Sequence, residues 1–233
     1  MTVVLAAHGS PDPRHAAAIE EIRSAAADRL GDVRLGWLGH HEPLLASVVT
    51  EALAADPDTV VVPLLLAPAF HARVDVPAGA GTARVAAVLA PDRRLLTALD
   101  ERLADVLAVC EAGIVPDGLV LAAAGSTDVA ADLLVREVAA AWGDSNRLPV
   151  EVAYASAEPS VADAVRALRK GGAERVAVGV FLLAPGRLHD AIAAAGELVG
   201  VTAVAAPLGA HPALVDVLCD RATAASRAAR LPG

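Results

Sequence analysis

The sequence predicts an α/β protein made of two tandem flavodoxin-like domains, each with a four-stranded parallel sheet. Short apolar runs of strand length alternate with longer segments of helical periodicity along the whole chain. Most of these runs are continuously apolar, as in sheets that helices cover on both faces. The opening pattern also recurs about 116 residues later, which indicates an internal duplication.

The first half is expected to contain four strands and four connecting segments, most of them helical. A helix from Arg14 begins after Asp12, a side chain that suits the N-cap, with Pro13 at the first helical position. The expected elements in order are strand Val3–Ala7, helix Arg14–Leu30, strand Val33–Leu38, helix Pro43–Ala55, strand Thr59–Leu66, a loop through His71, strand Ala83–Leu89 and helix Asp92–Ala112.

The second half repeats this pattern. Leu119–Asp128 echoes the opening segment, Glu158-Pro159 matches Glu42-Pro43, and Val178–Pro185 matches Val61–Pro68. Short connections and right-handed crossovers place the first strand of each half between the second and third. We therefore expect an N-terminal domain over residues 1–114, which carries a metal site, and a C-terminal domain over residues 115–233 with a degenerate site.

Composition narrows the class of protein. The formal net charge of −9 argues against a general nucleic-acid binder, which would show a basic face. No apolar run approaches the ~18 residues of a membrane span, and no basic leader precedes the first strand, so we expect a cytoplasmic protein without a membrane partner. Cys110 and Cys219 are expected to be buried reduced thiols.

Three polar residues follow consecutive strands of the first half: His8, Glu42 and His71. Because the carboxyl ends of parallel strands share one sheet edge, we expect these side chains to be neighbours. Two imidazoles and a carboxylate suit borderline divalent metals and proton transfer near neutral pH. Taken singly, each histidine would be an ordinary loop or capping residue, and Glu42 a first-turn residue favoured by the helix dipole.

The remaining histidines are weaker candidates. His40 and His41 are adjacent, so we expect them to point in different directions, and we expect His15 on the surface of its helix. In the second half Ala124 takes the place of His8. His189 lies near the counterpart of His71, at a spacing one residue longer. We therefore expect one metal-handling site, in the first half.

Ser10 allows a second interpretation. A serine two residues after His8 suits a nucleophile beside its base, although the strained Gly-x-Ser-x-Gly elbow is absent. The repeat keeps Ser126 where it loses the histidine, which favours a role for the serine in the turn and helix cap. A hydrolase that uses Ser10 and His8 remains an alternative.

These motifs together resemble the CbiX/SirB family of sirohydrochlorin chelatases, relatives of the class II, ATP-independent chelatases. The resemblance covers the whole chain as the two-domain form. The motifs that carry it are Ala7-His8-Gly9-Ser10 with Pro11-Asp12-Pro13, the pair Glu42-Pro43, and Pro63–Pro68 followed by His71, Asp75 and Pro77.

The resemblance implies insertion of Fe²⁺ or Co²⁺ into sirohydrochlorin, with release of two pyrrole protons, no nucleotide and no tightly bound cofactor. It assigns His8 and His71 as metal ligands and proton acceptors, and Glu42 as a supporting acidic residue. Because the macrocycle carries many carboxylates, the candidates for substrate binding are Ser10, Arg14, Arg73 and Arg187.

We predict iron insertion on the route to sirohaem, with cobalt insertion for corrinoids as the nearest alternative. Both metals accept the same ligands, so the sequence does not separate them. A non-catalytic carrier of a tetrapyrrole or metal is a more distant alternative. We expect a monomer, since the duplication already supplies two like halves.

Overall fold

The computed structural model describes residues 1–68, 70–110 and 115–228, and it confirms the predicted fold class. Two four-stranded parallel sheets have the orders β2-β1-β3-β4 and β6-β5-β7-β8. The strands are β1 Val3–Ala7, β2 Val33–Trp37, β3 Val60–Pro63, β4 Arg84–Val85, β5 Gly118–Ala123, β6 Val150–Tyr154, β7 Val176–Phe181 and β8 Ala203–Val204. The helices are α1 Pro13–Leu30, α2 Leu45–Ala55, α3 Val76–Ala80, α4 Arg94–Leu107, α5 Val129–Asn146, α6 Val161–Lys170, α7 Arg187–Val199 and α8 Pro212–Ala228.

Strands β1 and β5, which lie in the interior of their sheets, are fully buried, as strands covered by helices on both faces must be. In the first sheet Ala7 pairs with Trp37, and Ala6 pairs with Pro63. This register brings the carboxyl ends of β1, β2 and β3 level with one another. The residues that follow these three strands therefore emerge at the same edge of the sheet.

The chain forms two compact units, and each unit contains the final helix of the other half of the sequence. One unit comprises Met1–Asp92 with the segment that starts at Gly209, and the other comprises Arg93–Leu208. Helix α8 packs against α1 and β3, whereas α4 packs against β7 and β8. The predicted division between residues 114 and 115 differs from this one, and it lies beside residues 111–114, which are outside the described residues.

This difference arises because the sequence of an apolar helix face does not specify which sheet the helix packs against. Leu95, Leu99 and Leu103 of α4 are buried, as the repeat predicts for the last helix of a half. Burial of such a face is equally favourable against either parallel sheet. The sequence pattern therefore predicted the helix correctly but did not predict its partner.

Several local predictions hold and others shift. The Asp12 side chain caps α1 by accepting a hydrogen bond from the backbone N–H of Arg14, with Pro13 in the first turn. The predicted loop through His71 is instead a π-helical turn, His71–Asp75, that runs directly into α3. The strand expected over Ala83–Leu89 is reduced to Arg84–Val85, although the Leu89 N–H still bonds to the Leu65 carbonyl.

Two further features concern membrane-spanning helices and the cysteines. Within the described residues, no helix has the length and apolar character needed to cross a membrane. Both cysteines are free thiols: Cys219 is buried as predicted, whereas Cys110 is only partly buried.

Candidate functional site

The site of interest lies at the carboxyl edge of the first sheet. His8 follows β1 directly, and Gly9 turns the chain with a φ of +88°, a conformation that favours glycine. A side chain at Gly9 would place its Cβ 2.1 Å from the Gly39 carbonyl oxygen. The turn after β1 and the loop after β2 are thus pressed together, and this holds their histidines close to each other.

His71 approaches His8 from the π-helical turn after β3. The centres of the two imidazole rings are 4.2 Å apart, with an angle of 41° between their planes. The sequence prediction that His8 and His71 lie together at this edge is confirmed. A tetrahedral ion bound at ~2.1 Å by two imidazole nitrogens would hold the ring centres about 5 Å apart, so a small opening of the pair would admit one.

Asp75 orients His71 within the same turn. The Nδ1 of His71 lies 2.5 Å from the Oδ2 of Asp75, one helical turn further along the chain. A carboxylate in this position accepts the Nδ1 proton and leaves the lone pair of Nε2 for a metal or a proton. The i,i+4 spacing of His71 and Asp75 is present in the sequence, but it predicts a contact only in a helix, and this segment was predicted to be a loop.

The two adjacent histidines of the β2–α2 loop face different neighbours, as expected. His40 has a φ of +66°, and the centre of its ring lies 6.2 Å from that of His8. The ring of His41 lies 4.7 Å from Trp37, and its Nε2 is 2.6 Å from the carbonyl oxygen of Ser10. His41 therefore donates to Ser10 and ties this loop to the turn after β1.

Burial and neighbouring imidazoles affect the charge of this cluster. Partial loss of hydration lowers the pKa of His8, and the nearby rings of His71 and His40 lower it further, whereas Asp75 opposes the shift. The lowered pKa favours the neutral imidazole of His8, which is the form that binds metals and accepts protons.

His15 is not the surface residue that the sequence suggested. It is half-buried near Trp37, at 6.3 Å between ring centres, and its buried Nδ1 has no hydrogen-bond partner among the described residues. Burial is also the main cause of its lowered pKa, followed by His41 and His8. Helical periodicity alone did not reveal this contact, because Trp37 lies on the neighbouring strand.

Glu42 occupies the same loop but has a local partner. Its Oε2 accepts a hydrogen bond from the backbone N–H of Leu44 at 3.0 Å, and its side chain is exposed. Glu158 makes the equivalent bond to Ser160 in the second unit, at 2.9 Å. This shared contact gives the Glu-Pro motif a role in the loop itself. The predicted catalytic role of Glu42 stays a prediction.

The candidate substrate-binding residues are dispersed. Ser10 accepts from the backbone N–H of Asp12 at 3.2 Å, as Ser126 does from Asp128 at 3.0 Å, so both hydroxyls serve the turn before a helix. Arg14 is exposed and donates to Asp12 at 2.6 Å. Arg73 is exposed on the π-helical turn, and Arg187 is exposed at the start of α7 in the other unit.

The second unit shows the same scaffold without the imidazoles. Ala124 replaces His8, and the Ser156 hydroxyl donates to the Ala124 carbonyl oxygen. Near this edge Tyr154 donates to Asp132, and burial followed by that hydrogen bond raises the pKa of Tyr154 to about 12. The fold therefore forms without a histidine at this position, so His8 is not required for the turn.

The side chains that this site offers to a metal ion are the imidazoles of His8 and His71. Within residues 1–68, 70–110 and 115–228, no group of three or more His, Cys, Asp or Glu side chains is arranged to hold a metal ion. A site with two imidazoles leaves most coordination positions open to water or to another ligand. Such a site suits a protein that passes an ion on.

A duplicated parallel α/β fold, with two imidazoles at the ends of adjacent strands in one unit, defines the class of two-domain chelatase-like proteins. The chain belongs to the CbiX family, whose model matches residues 2–106 and again 118–225. The resemblance read from the sequence motifs is thereby confirmed, and so is the duplication.

A curated relative matches part of the chain. The chloroplastic sirohydrochlorin ferrochelatase of Arabidopsis thaliana is 37% identical over 114 residues, which cover 45% of this chain and 51% of that protein. The chain thus spans about half the length of this relative.

Solved structures share the fold over the full chain. SirB from Bacillus subtilis with Fe³⁺ superposes with a TM-score of 0.82 and 18% identity, covering 99% of this chain and 98% of that one. The cobalt complex of SirB from Bacillus subtilis subspecies spizizenii gives 0.80 and 17%, covering 97% and 96%. CbiX, described as the terminal enzyme of sirohaem biosynthesis in denitrifying bacteria, gives 0.68 and 23% with full coverage of both chains. These likenesses establish the architecture.

Proposed function

We propose that this protein is a sirohydrochlorin chelatase that inserts Fe²⁺ into the macrocycle without a nucleotide. The observation that carries the proposal is the pair of imidazoles, His8 and His71, 4.2 Å apart at the carboxyl edge of the first sheet. Membership of the CbiX family and the partial match to a sirohydrochlorin ferrochelatase support the choice of macrocycle.

The reaction exchanges one divalent ion for two protons. As the ion enters the tetrapyrrole, two pyrrole nitrogens lose their protons and all four nitrogens become ligands. The ion must leave its protein ligands at the same time, so few and neutral ligands favour transfer. The lowered pKa of His8 favours the neutral imidazole, which can bind the ion first and accept a proton once the ion has left.

His71 supplies the second imidazole, and Asp75 sets its tautomer. With the Nδ1 proton held by Asp75, the Nε2 of His71 presents a lone pair. After the ion has left, this nitrogen takes up the second proton, and the carboxylate of Asp75 stabilises the resulting imidazolium. The two protons thus have two acceptors, and bulk water removes them between turnovers.

We further propose that exposed guanidinium groups bind the carboxylates of the macrocycle. Arg73 lies two residues beyond His71 on the same turn, which makes it the strongest candidate in the first unit. Guanidinium groups form paired hydrogen bonds with carboxylates, so a single arginine can fix one edge of the substrate. Arg14 and Arg187 are secondary candidates.

The proposal is tested by metallation of sirohydrochlorin under anaerobic conditions. The absorption spectrum of the macrocycle is followed with Fe²⁺ and, separately, with Co²⁺, each against a blank without protein. We expect faster metallation than in the blank, with a loss of about 100-fold or more in His8→Ala and His71→Ala. His189→Ala, a change in the other unit, serves as the matched control and should retain activity.

The outcomes separate the alternatives. Insertion of Co²⁺ but not Fe²⁺ would replace ferrochelatase by cobaltochelatase activity. Stoichiometric binding of sirohydrochlorin or metal without turnover would favour a carrier. Failure of either metal to enter faster than in the blank would refute the chelatase proposal. Activity that survives Ser10→Ala would argue against a hydrolase-like use of that hydroxyl.

A further inference from the structure

His40 has no evident structural role in the loop that contains it or in the helix that follows. Its backbone adopts the left-handed conformation, with φ of +66°, which a residue other than glycine rarely adopts. Its side chain is exposed, and its imidazole forms no hydrogen bond with the residues that the structure describes. Backbone outliers of this kind cluster at functional sites, where the surrounding structure maintains them.

The neighbouring contacts hold His40 beside His8. The close approach of Gly9 and Gly39 presses the loop onto the turn after β1. His41, the next residue, anchors the loop through its hydrogen bond to the Ser10 carbonyl. As a result the ring of His40 stands nearly edge-on to that of His8, at 6.2 Å between centres and 77° between planes.

The second unit supplies an internal comparison. Four residues separate the end of β2 at Trp37 from Glu42, whereas three separate the end of β6 at Tyr154 from Glu158. The longer loop contains His40 and His41, and the shorter one contains no histidine. The extra residue and its imidazoles therefore occur in the unit that has His8 and are missing beside Ala124.

The ring separations suit an ion that moves between two pairs of imidazoles. A tetrahedral ion with metal–nitrogen bonds of ~2.1 Å places ring centres about 5 Å apart. The His8–His71 separation of 4.2 Å lies slightly below that value and the His8–His40 separation of 6.2 Å slightly above it. Movement of either ring by about 1 Å would form one pair, with His8 common to both.

We propose that His40 is an entry ligand for the metal. Together with His8 it takes a hydrated divalent transition-metal ion from solution, and the ion then exchanges the nitrogen of His40 for that of His71. One nitrogen leaves and another binds, so the charge and oxidation state of the ion do not change. The inference rests on the proposed function, since it describes how the metal substrate reaches the His8–His71 pair.

The test measures binding of Co²⁺ alone, without a macrocycle, to the full chain. Stopped-flow absorption gives the association rate, titration calorimetry gives the affinity, and the ligand-field spectrum reports how many imidazoles bind. Two variants remove the imidazole but tolerate a positive φ: His40→Asn and His40→Gly. His189→Asn, in the other unit, is the matched control.

We expect both His40 variants to bind Co²⁺ with an association rate reduced about tenfold, whereas the ligand-field spectrum of the final complex, in which His8 and His71 bind the ion, should stay the same. Their unfolding temperatures should equal or exceed that of the unmodified protein, because the backbone at position 40 is relieved. His189→Asn should leave the rate and the spectrum unchanged.

The proposal is wrong if both His40 variants take up Co²⁺ at the original rate, or if their final spectrum shows the loss of an imidazole, because His40 would then be a resident ligand. It is also wrong if only one of them is impaired, because the loop backbone rather than the imidazole would then be responsible. Failure of the proposed function looks different: the unmodified protein would bind Co²⁺ but leave sirohydrochlorin free of metal.

Discussion

Asp75 offers a sharp test of how the metal site is organised. Its carboxylate lies 2.5 Å from the Nδ1 of His71, so replacement by Asn retains an acceptor oxygen but removes the negative charge. Replacement by Ala removes both. The two variants therefore separate the part of the interaction that sets the tautomer from the part that stabilises charge.

The expected magnitude follows from the exposure of the pair. Removal of an outer-shell carboxylate commonly reduces metal affinity by about 10–100-fold. Here the side chains of His71 and Asp75 are 42% and 37% exposed, so water screens the charge and the lower part of that range applies. We expect about threefold weaker Co²⁺ binding in Asp75→Asn and about tenfold in Asp75→Ala.

Titration calorimetry with Co²⁺ measures these losses directly, and metallation of sirohydrochlorin measures their effect on turnover. Asp75→Glu keeps the charge and tests how strictly the distance matters. Affinity unchanged in Asp75→Ala would show that Asp75 does not orient His71. A larger loss in Asp75→Asn than in Asp75→Ala would contradict the proposed order of the two effects.

Four further predictions concern the same unit. Gly9→Ala should reduce turnover and stability together, because its Cβ would lie 2.1 Å from the Gly39 oxygen at a φ of +88°; thermal unfolding and metallation assays that both match the original protein would refute this. Co²⁺ binding should weaken in acidic solution, because protonation of His8 removes the lone pair that binds the ion, although the lowered pKa of His8 delays that loss relative to an ordinary histidine; equal affinity at pH 8 and at pH 5 would contradict the assignment. Because the pKa values of His8 and His15 are lowered in the fold, the unfolded chain binds more protons than the folded chain at these residues in acidic solution, so the free energy of unfolding should fall as the pH falls; equal values from denaturant titrations at neutral and acidic pH would contradict this. A chain that stops at Leu208 loses α8, whose four large buried apolar side chains contribute roughly 6–12 kcal/mol, comparable to the whole stability of a domain, so denaturant unfolding should show no cooperative transition for the first unit.

Local patterns predicted much of this fold because they depend on neighbours along the chain. The alternation of apolar runs and helical periods identified the strands, and the cap at Asp12 marked the start of α1. The prediction of a loop through His71 was less accurate. This segment contains Pro68 and Pro77 and lacks helical periodicity in its sequence, but it forms a π-helical turn that continues into α3.

The site was partly accessible to sequence reasoning. His8 and His71 were found because strand order in a parallel sheet follows from connection rules, and strand ends then follow from strand order. Asp75 had no assigned role, since i,i+4 spacing matters only in a helix. His40 was a weak candidate, because its direction depends on a left-handed backbone and on the contact between Gly9 and Gly39.

By itself the sequence determined the fold class, the duplication and the pair of histidines at one sheet edge, since periodicity and strand order are encoded in short stretches. Only the tertiary structure decided that α4 and α8 each pack in the unit of the other half, because an apolar face does not specify its partner. The tertiary structure also decided which imidazoles face His8. Their separations depend on loops that are distant in sequence and pressed together by packing.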